Sequence, residues 1–174
     1  CSKLESIIIP ENVTIIKKCL FLSCTNLVSI TFEGNITFID DSAFNNCTKL
    51  ESISLPYSLQ AIGERTFLMC SNLRNLSLSD NLISIGRNAF ERCSNLVSIA
   101  IPEKITEIKM QVFENCYELQ SVEFRGNILS LGFQAFKYCF NLRSLEIPDT
   151  VTNIRGSCFM GCNKLYSIVF PKNF

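Results

Sequence analysis

The sequence predicts a mainly-β repeat solenoid, with one short parallel strand per coil on one face and turns, short extended or 3-10 segments on the other. Three observations carry this expectation. Cys-x-x-Leu recurs at a constant 23-residue step, from Cys1, Cys24, Cys47 and Cys70 through Cys93, Cys116, Cys139 and Cys162. Every other apolar position keeps the same phase. A 23-residue unit is also too short to enclose its own apolar side chains, so neighbouring units must stack into one continuous core. Counting from the cysteines gives seven full coils and a partial eighth, with no insertion anywhere, so residues 1–174 read as one domain.

Within each coil the elements follow in order. Position seven (Ile7, Ile30, Ile53, Leu76, Ile99, Val122, Leu145, Ile168) and position nine (Ile9, Phe32, Leu55, Leu78, Ile101, Phe124, Ile147, Phe170) are apolar and lie two apart, the period of a strand. A short strand over positions five to nine should therefore pair with its copies above and below into a parallel sheet. Positions thirteen and sixteen, such as Ile36 with Ile39 or Ile105 with Ile108, lie three apart and suit a second short extended segment or a tight turn. Position twenty-one is phenylalanine in all seven full coils, from Phe21 to Phe159. The residues around it, such as Ser42-Ala43-Phe44-Asn45, fit one helical or 3-10 turn before the chain returns to the core at cysteine.

A slower period is superimposed. Pro10, Pro56, Pro102 and Pro148 recur at twice the repeat length, with Glu33, Ser79 and Arg125 at the same position in the alternate coils. Gly34 and Gly126 follow two of these and call for a different turn. Pro171 breaks the alternation.

Composition narrows the chemistry. The 16 basic and 16 acidic residues cancel, which removes any electrostatic drive toward nucleic acid or an anionic membrane. There is no histidine, so there is no Ser-His-Asp triad, no Cys-His pair and no imidazole metal ligand. No apolar run approaches the roughly 20 residues that span a bilayer. No Gly-rich phosphate loop occurs, and no cofactor is expected. The chain opens at Cys1 without an initiator methionine and reads as a piece of a longer array. Neither end shows a polar capping coil, and open ends are a route to end-to-end self-association.

The pattern Leu-x-x-Ile-x-Ile-Pro, then Val-x-x-Ile, then Ala-Phe-x-x-Cys-x-x-Leu resembles the BspA-like leucine-rich repeat family across the whole chain. Leu142–Pro148 with Val151 and Ile154, and Ala89-Phe90-Glu91-Arg92-Cys93-Ser94-Asn95-Leu96, carry it most clearly. The resemblance implies a right-handed leucine-rich-repeat stack. It also implies a surface or secreted protein of mucosal bacteria or protozoan parasites, of a kind associated with adhesion to host extracellular proteins and co-aggregation of cells. In the usual leucine-rich repeat an asparagine follows the strand; Asn12, Asn35, Asn81 and Asn127 occupy that place, whereas Ser58, Lys104 and Thr150 do not fit it.

Eight of the ten cysteines share one position. Stacking brings neighbours to about 5 Å, which does not itself exclude a disulfide. In-register side chains point the same way, however, and cysteine is a small apolar filler often fully buried. A buried, reduced ladder is the favoured reading, with a disulfide as the alternative and a metal site further behind, because no Cys-x-x-Cys spacing is present. Cys158 takes a core position held elsewhere by alanine, and Cys19 is the candidate exposed, reactive thiol. Sequons at Asn12, Asn35, Asn46 and Asn75 are about as frequent as chance allows.

Positions six, eight and ten should point away from the core. Position six is serine in every coil except Asn75, and its hydroxyls are expected to bond neighbouring backbone. The outward face is small and uncharged in the middle and richer toward the C-terminal third, where Glu123, Arg125, Arg143, Glu146 and Tyr166 form the candidate protein-binding site. A non-enzymatic surface adhesin or antigen binding other proteins is the leading function; an intracellular protein-interaction scaffold on the same solenoid is the alternative.

Overall fold

The computed structural model describes residues 1–170. Pro171 and Phe174, with the expectations placed on them, lie outside the described residues. Among the described residues fifteen short strands, numbered in chain order, alternate between two rows. The odd strands are β1 (Ser6–Ile9), β3 (Ser29–Phe32), β5 (Ser52–Ser54), β7 (Asn75–Ser77), β9 (Ser98–Ile101), β11 (Ser121–Phe124), β13 (Ser144–Glu146) and β15 (Ser167–Val169). They supply positions six to nine of successive coils. The even strands, two residues each, are β2 (Ile15–Ile16), β4 (Phe38–Ile39), β6 (Ala61–Ile62), β8 (Ser84–Ile85), β10 (Glu107–Ile108), β12 (Ser130–Leu131) and β14 (Asn153–Ile154). Every pairing is parallel and joins a residue to its own copy one repeat later, as in Ile7 opposite Ile30 and Phe38 opposite Ala61. The solenoid expected from the sequence is therefore present, and its second row is the short extended segment read from positions thirteen and sixteen.

The remaining third of each coil is not a helical or 3-10 turn, which corrects the expectation for positions eighteen to twenty-three. Each full coil places positions nineteen and twenty-three in the left-handed region, with φ from 53° at Arg65 to 75° at Gly161, and a left-handed residue interrupts a right-handed helix. The N–H groups here divide. Those at positions twenty and twenty-two and the following cysteine mostly close turns three residues back, as Cys47 does to the Phe44 carbonyl at 3.1 Å. Those at nineteen, twenty-one and twenty-three donate to the next coil, as Phe67 does to the Ala89 carbonyl at 2.8 Å. The even strand row runs the other way: Gly86 N–H donates to the preceding coil's Ile62 carbonyl at 2.8 Å. Two ladders of opposite sense thus bracket the core, and each uses backbone groups that burial would otherwise leave unpaired.

The core is a set of vertical columns. The leucines from Leu27 to Leu142 and the cysteines from Cys24 to Cys139 are fully buried. The position-twenty-one phenylalanines stack ring on ring from Phe21 to Phe159, with centroids 5.3–5.8 Å apart and interplanar angles of 5–12°. A single repeat length is what lets each ring meet its own copy.

The odd strands do not form one continuous sheet. They pair as β1–β3, β5–β7, β9–β11 and β13–β15, with seams at β3/β5, β7/β9 and β11/β13 where adjacent strands share no ladder. The seams follow the two-coil period of the prolines. In the second and sixth coils the residue after the strand donates to the coil before, as Glu33 N–H does to Ile9 at 3.0 Å and Arg125 N–H does to Ile101 at 3.1 Å. In odd-numbered coils that residue is Pro56, Pro102 or Pro148, which has no N–H to give, and proline in a sheet belongs at an edge. The turns differ as well: Ile105 N–H closes on Pro102 at 3.1 Å and Leu82 on Ser79 at 2.9 Å, each three residues back, whereas Ile36 closes on Gly34 and Ile128 on Gly126, two residues back, at 3.1 Å. A Cβ on Gly126 would lie 2.0 Å from the Glu103 carbonyl oxygen, so the tighter turn needs glycine.

Between the fourth and fifth coils the even row breaks too, separating β2-β4-β6-β8 from β10-β12-β14. Side chains bridge this boundary instead: Lys104 Nζ donates to Asn81 Oδ1 at 2.8 Å, Lys109 Nζ to Ser84 Oγ at 3.2 Å, and Arg125 reaches Asp80 at 3.8 Å.

Phe90 is fully buried between Phe67 and Phe113, at 5.6 and 5.7 Å. Replacing it with alanine should lower stability by about 3–5 kcal/mol in a denaturant titration. A midpoint unchanged within error would mean that the aromatic column does not hold the stack together.

Candidate protein-binding face

The odd strands direct positions seven and nine inward and six and eight outward, so the outward face is assembled from one residue in two. The position-six serines are exposed. Contrary to expectation, their hydroxyls make no hydrogen bond to neighbouring backbone among the described residues. Hydroxyl-to-backbone bonds between coils occur elsewhere, as from Ser58 to the Ile36 carbonyl at 2.8 Å and from Thr150 to Ile128 at 2.7 Å. The serine row is therefore a strip of solvent-facing hydroxyls down the middle of the face.

All five candidate residues are exposed, and the structure divides them. Arg143 and Tyr166, immediately before β13 and β15, line a recess of about 460 Å³ with Asn163, Lys164 and Leu165. Glu123 and Glu146, on β11 and β13, line another of about 470 Å³ with Val122, Phe124, Gly126 and Pro148, at the third seam. Arg125 borders a smaller recess of about 210 Å³ at the second seam, with Ser77, Ser98 and Ala100. Its guanidinium is held by Glu123 at 3.4 Å and Asp80 at 3.8 Å, both exposed pairs of small energetic value. Toward the C-terminus one edge of the face thus carries Arg143, Lys164 and Tyr166, and the other mixes Glu123 and Glu146 with Arg125.

Sequence reasoning missed an aromatic corner outside the face. Position two is serine or threonine in the first five coils and becomes Tyr117 and Phe140 in the next two. Their rings stack at 5.2 Å, and Tyr138 tilts onto Phe140 at 5.8 Å. Lys137 Nζ sits 5.0 Å over the Tyr138 ring while pairing with the buried Glu114 carboxylate at 3.0 Å. The break from a hydroxyl to an aromatic residue was the available signal. Beside it an amide ladder joins Asn88 to Gln111 and Gln111 to Gln134, each at 3.2 Å. This ladder sits at left-handed position nineteen and not at the asparagine position of the usual repeat.

The cysteines of the column are unbridged, and their thiols are bonded to backbone: Cys47, Cys70, Cys93, Cys116, Cys139 and Cys162 each place Sγ 3.1–3.2 Å from the carbonyl of the phenylalanine 26 residues back, beside the cysteine one layer below. Burial, reinforced by the neighbouring thiols, pushes Cys70, Cys93, Cys116 and Cys139 well above the ordinary thiol range. Burial raises Cys47 and Cys158 to about 12. Thiolate chemistry is suppressed in this column. Cys158 is core, as expected, and Cys1 and Cys19 are exposed. Among the described residues no cluster of His, Cys, Asp or Glu could hold a metal ion, and no helix is long and apolar enough to cross a membrane.

The BspA type leucine rich repeat region matches the chain in six copies over residues 1–120 and 84–174. A leucine-rich repeat protein from Bacteroides ovatus is similar over 95% of this chain and 45% of its own, with 32% identity and a TM-score of 0.91. A leucine rich cell surface protein from Faecalibacterium prausnitzii is similar over 94% and 47%, with 27% identity and a TM-score of 0.86. A leucine-rich repeat protein of T. pallidum shares the fold at 22% identity and a TM-score of 0.67. The chain thus spans about half the length of the first two. None of the curated proteins matches it.

Alkylation of the native protein should label Cys1 and Cys19, and the buried column only after denaturation; rapid native labelling of Cys93 would contradict the column. The buried thiols also set an alkaline limit. Above the ordinary thiol value of 9.0 the unfolded chain releases these protons, while the folded chain keeps them up to about 12 at Cys47. Their contribution to stability is therefore intact below pH 9 and is lost as pH rises from 9 to 12, which a denaturation series across that range would record.

Proposed function

We propose, for a chain that belongs to the BspA type leucine-rich repeat family, a protein-binding module on a cell surface or in a secreted protein, working as an adhesin or surface antigen. The family is a protein-interaction repeat and generally non-enzymatic, which gives the coarse function directly. The finer reading rests on one observation: the strand face carries an exposed row of hydroxyls with no partners among the described residues, flanked by Arg143 and Tyr166 at a recess and by Glu123, Arg125 and Glu146 at the opposite edge. A face with this much uncommitted polar surface is suited to recognition, and arginine and tyrosine are the side chains that most often anchor interfaces. Surface location is supported by the Faecalibacterium prausnitzii relative, which is named a cell surface protein. Partners are other proteins, extracellular-matrix or host surface proteins first among them.

The test is binding of the chain to immobilised extracellular-matrix proteins, compared with a variant carrying Arg125→Ala, Arg143→Ala and Tyr166→Ala. The variant should lose about tenfold or more in affinity, since all three side chains are exposed and their removal leaves the core intact. Equal binding by both would remove this face from the function.

A further inference from the structure

The recess beside Arg143 and Tyr166 differs from the others in its charge. Arg143, Asn163, Lys164, Leu165 and Tyr166 line it, with no carboxylate among the described residues. Both bases are exposed. Lys164 Nζ donates to an amide oxygen, Asn141 Oδ1, at 2.6 Å, and the Arg143 guanidinium has no partner among the described residues. Arg125, by comparison, is already held by Glu123 and Asp80. The guanidinium fork and the remaining ammonium N–H groups are thus left for an incoming acceptor.

Backbone bonding fixes this arrangement. Tyr166 N–H donates to the Arg143 carbonyl at 3.1 Å, and the two side chains leave the same position of adjacent coils, ~4.8 Å apart at the usual inter-strand distance. Tyr166 is 79% exposed. The recess adjoins the aromatic corner, because position two runs Tyr117, Phe140, Asn163 in successive coils, and Asn163 lines the recess. Asn141 ties the two parts together: its Nδ2 donates to the Tyr117 carbonyl at 2.9 Å while its Oδ1 holds Lys164. The stacked rings of Tyr117 and Phe140 remain 40% and 38% exposed.

A guanidinium beside an ammonium, with no carboxylate of their own, calls for an anion, and the planar fork matches a carboxylate in two parallel bonds. The cationic area is short. Below Lys164 the same position holds Asn141 and then Glu118; below Arg143 it holds Gln120 and then Val97. A long polyanion would meet Glu118 and no further base along these columns, whereas one or two carboxylates fit. The exposed rings beside them suit an aromatic partner.

We propose that Arg143, Lys164 and Tyr166, together with the Tyr117–Phe140 corner, dock a short acidic segment of a partner protein, its carboxylates on the two bases and a neighbouring aromatic side chain on the rings. This deepens the protein-binding reading above and rests on it.

Fluorescence anisotropy with a labelled Glu-Glu-Phe repeat peptide tests the proposal, against Gln-Gln-Phe and Glu-Glu-Ser repeats and against competing heparin as a polyanion. The Glu-Glu-Phe peptide should bind about tenfold more tightly than either comparator, and an Arg143→Gln, Lys164→Gln variant of unchanged denaturation midpoint should weaken it about tenfold. A Lys49→Gln, Arg74→Gln variant removes the same charge from exposed positions of the third and fourth coils, where position two is Thr48 and Ser71, and should leave the affinity unchanged. Equal weakening by both double variants would reduce the recess to diffuse positive charge and overturn the proposal. Equal affinity for either comparator peptide, displacement by heparin at a lower concentration than by unlabelled peptide, or no binding would overturn it as well. Matrix proteins captured through Arg143 and Tyr166 without binding of the acidic peptide would overturn the acidic-segment assignment while leaving the protein-binding reading standing.

Discussion

Translation is the constraint on which this fold depends. The main buried columns are positioned so that each residue meets its counterpart one repeat away, and the repeat must hold its length for any column to close. The phenylalanine rings stack only because successive coils bring them within 5.3–5.8 Å of each other. The cysteine column depends on the same step, since each thiol finds its acceptor on the carbonyl of the phenylalanine 26 residues back, which flanks the cysteine one layer below. One side chain supplies an apolar ring and, through its backbone, a partner for a sulfur, so the two columns are mechanically linked. A larger polar residue at the cysteine position would need a second partner where the structure has none to offer.

The proline period works against that continuity and gives the molecule its surface relief. Proline withholds one donor in alternate coils, the odd-strand ladder lapses, and recesses open on the outward face at the second and third seams. The left-handed turn row carries hydrogen bonds past every seam, as from Phe90 to the Val112 carbonyl at 3.0 Å, so the stack stays joined on one side while it opens on the other. A surface built this way differs from a flat sheet in having repeating steps.

Much of this was legible in the sequence because a repeat reports each position many times. The strand, the core columns, the unbridged cysteines and the exposed Cys19 all follow from alignment of the units. The turn at positions eighteen to twenty-three was misread, since Ser42-Ala43-Phe44-Asn45 has helix-compatible residues and the left-handed φ at Ser42 and Asn46 is set by the next coil's carbonyls. The proline period alone does not disclose the seams, because the consequence of a missing N–H depends on which neighbour it would have faced. The serine hydroxyls were given backbone partners that the geometry withholds. The Tyr117–Phe140 corner is not a property of the repeat, because each of its residues departs from the pattern of the other coils.

The most direct test of translational register is deletion of whole coils. Removing residues 47–92, one complete two-coil period, should leave a shorter stack that still unfolds cooperatively when followed by circular dichroism. Removing residues 47–90 shifts every later column by two positions and should abolish that transition. If the out-of-step deletion unfolded as cooperatively as the in-step one, the alignment of columns would not be what holds the protein together.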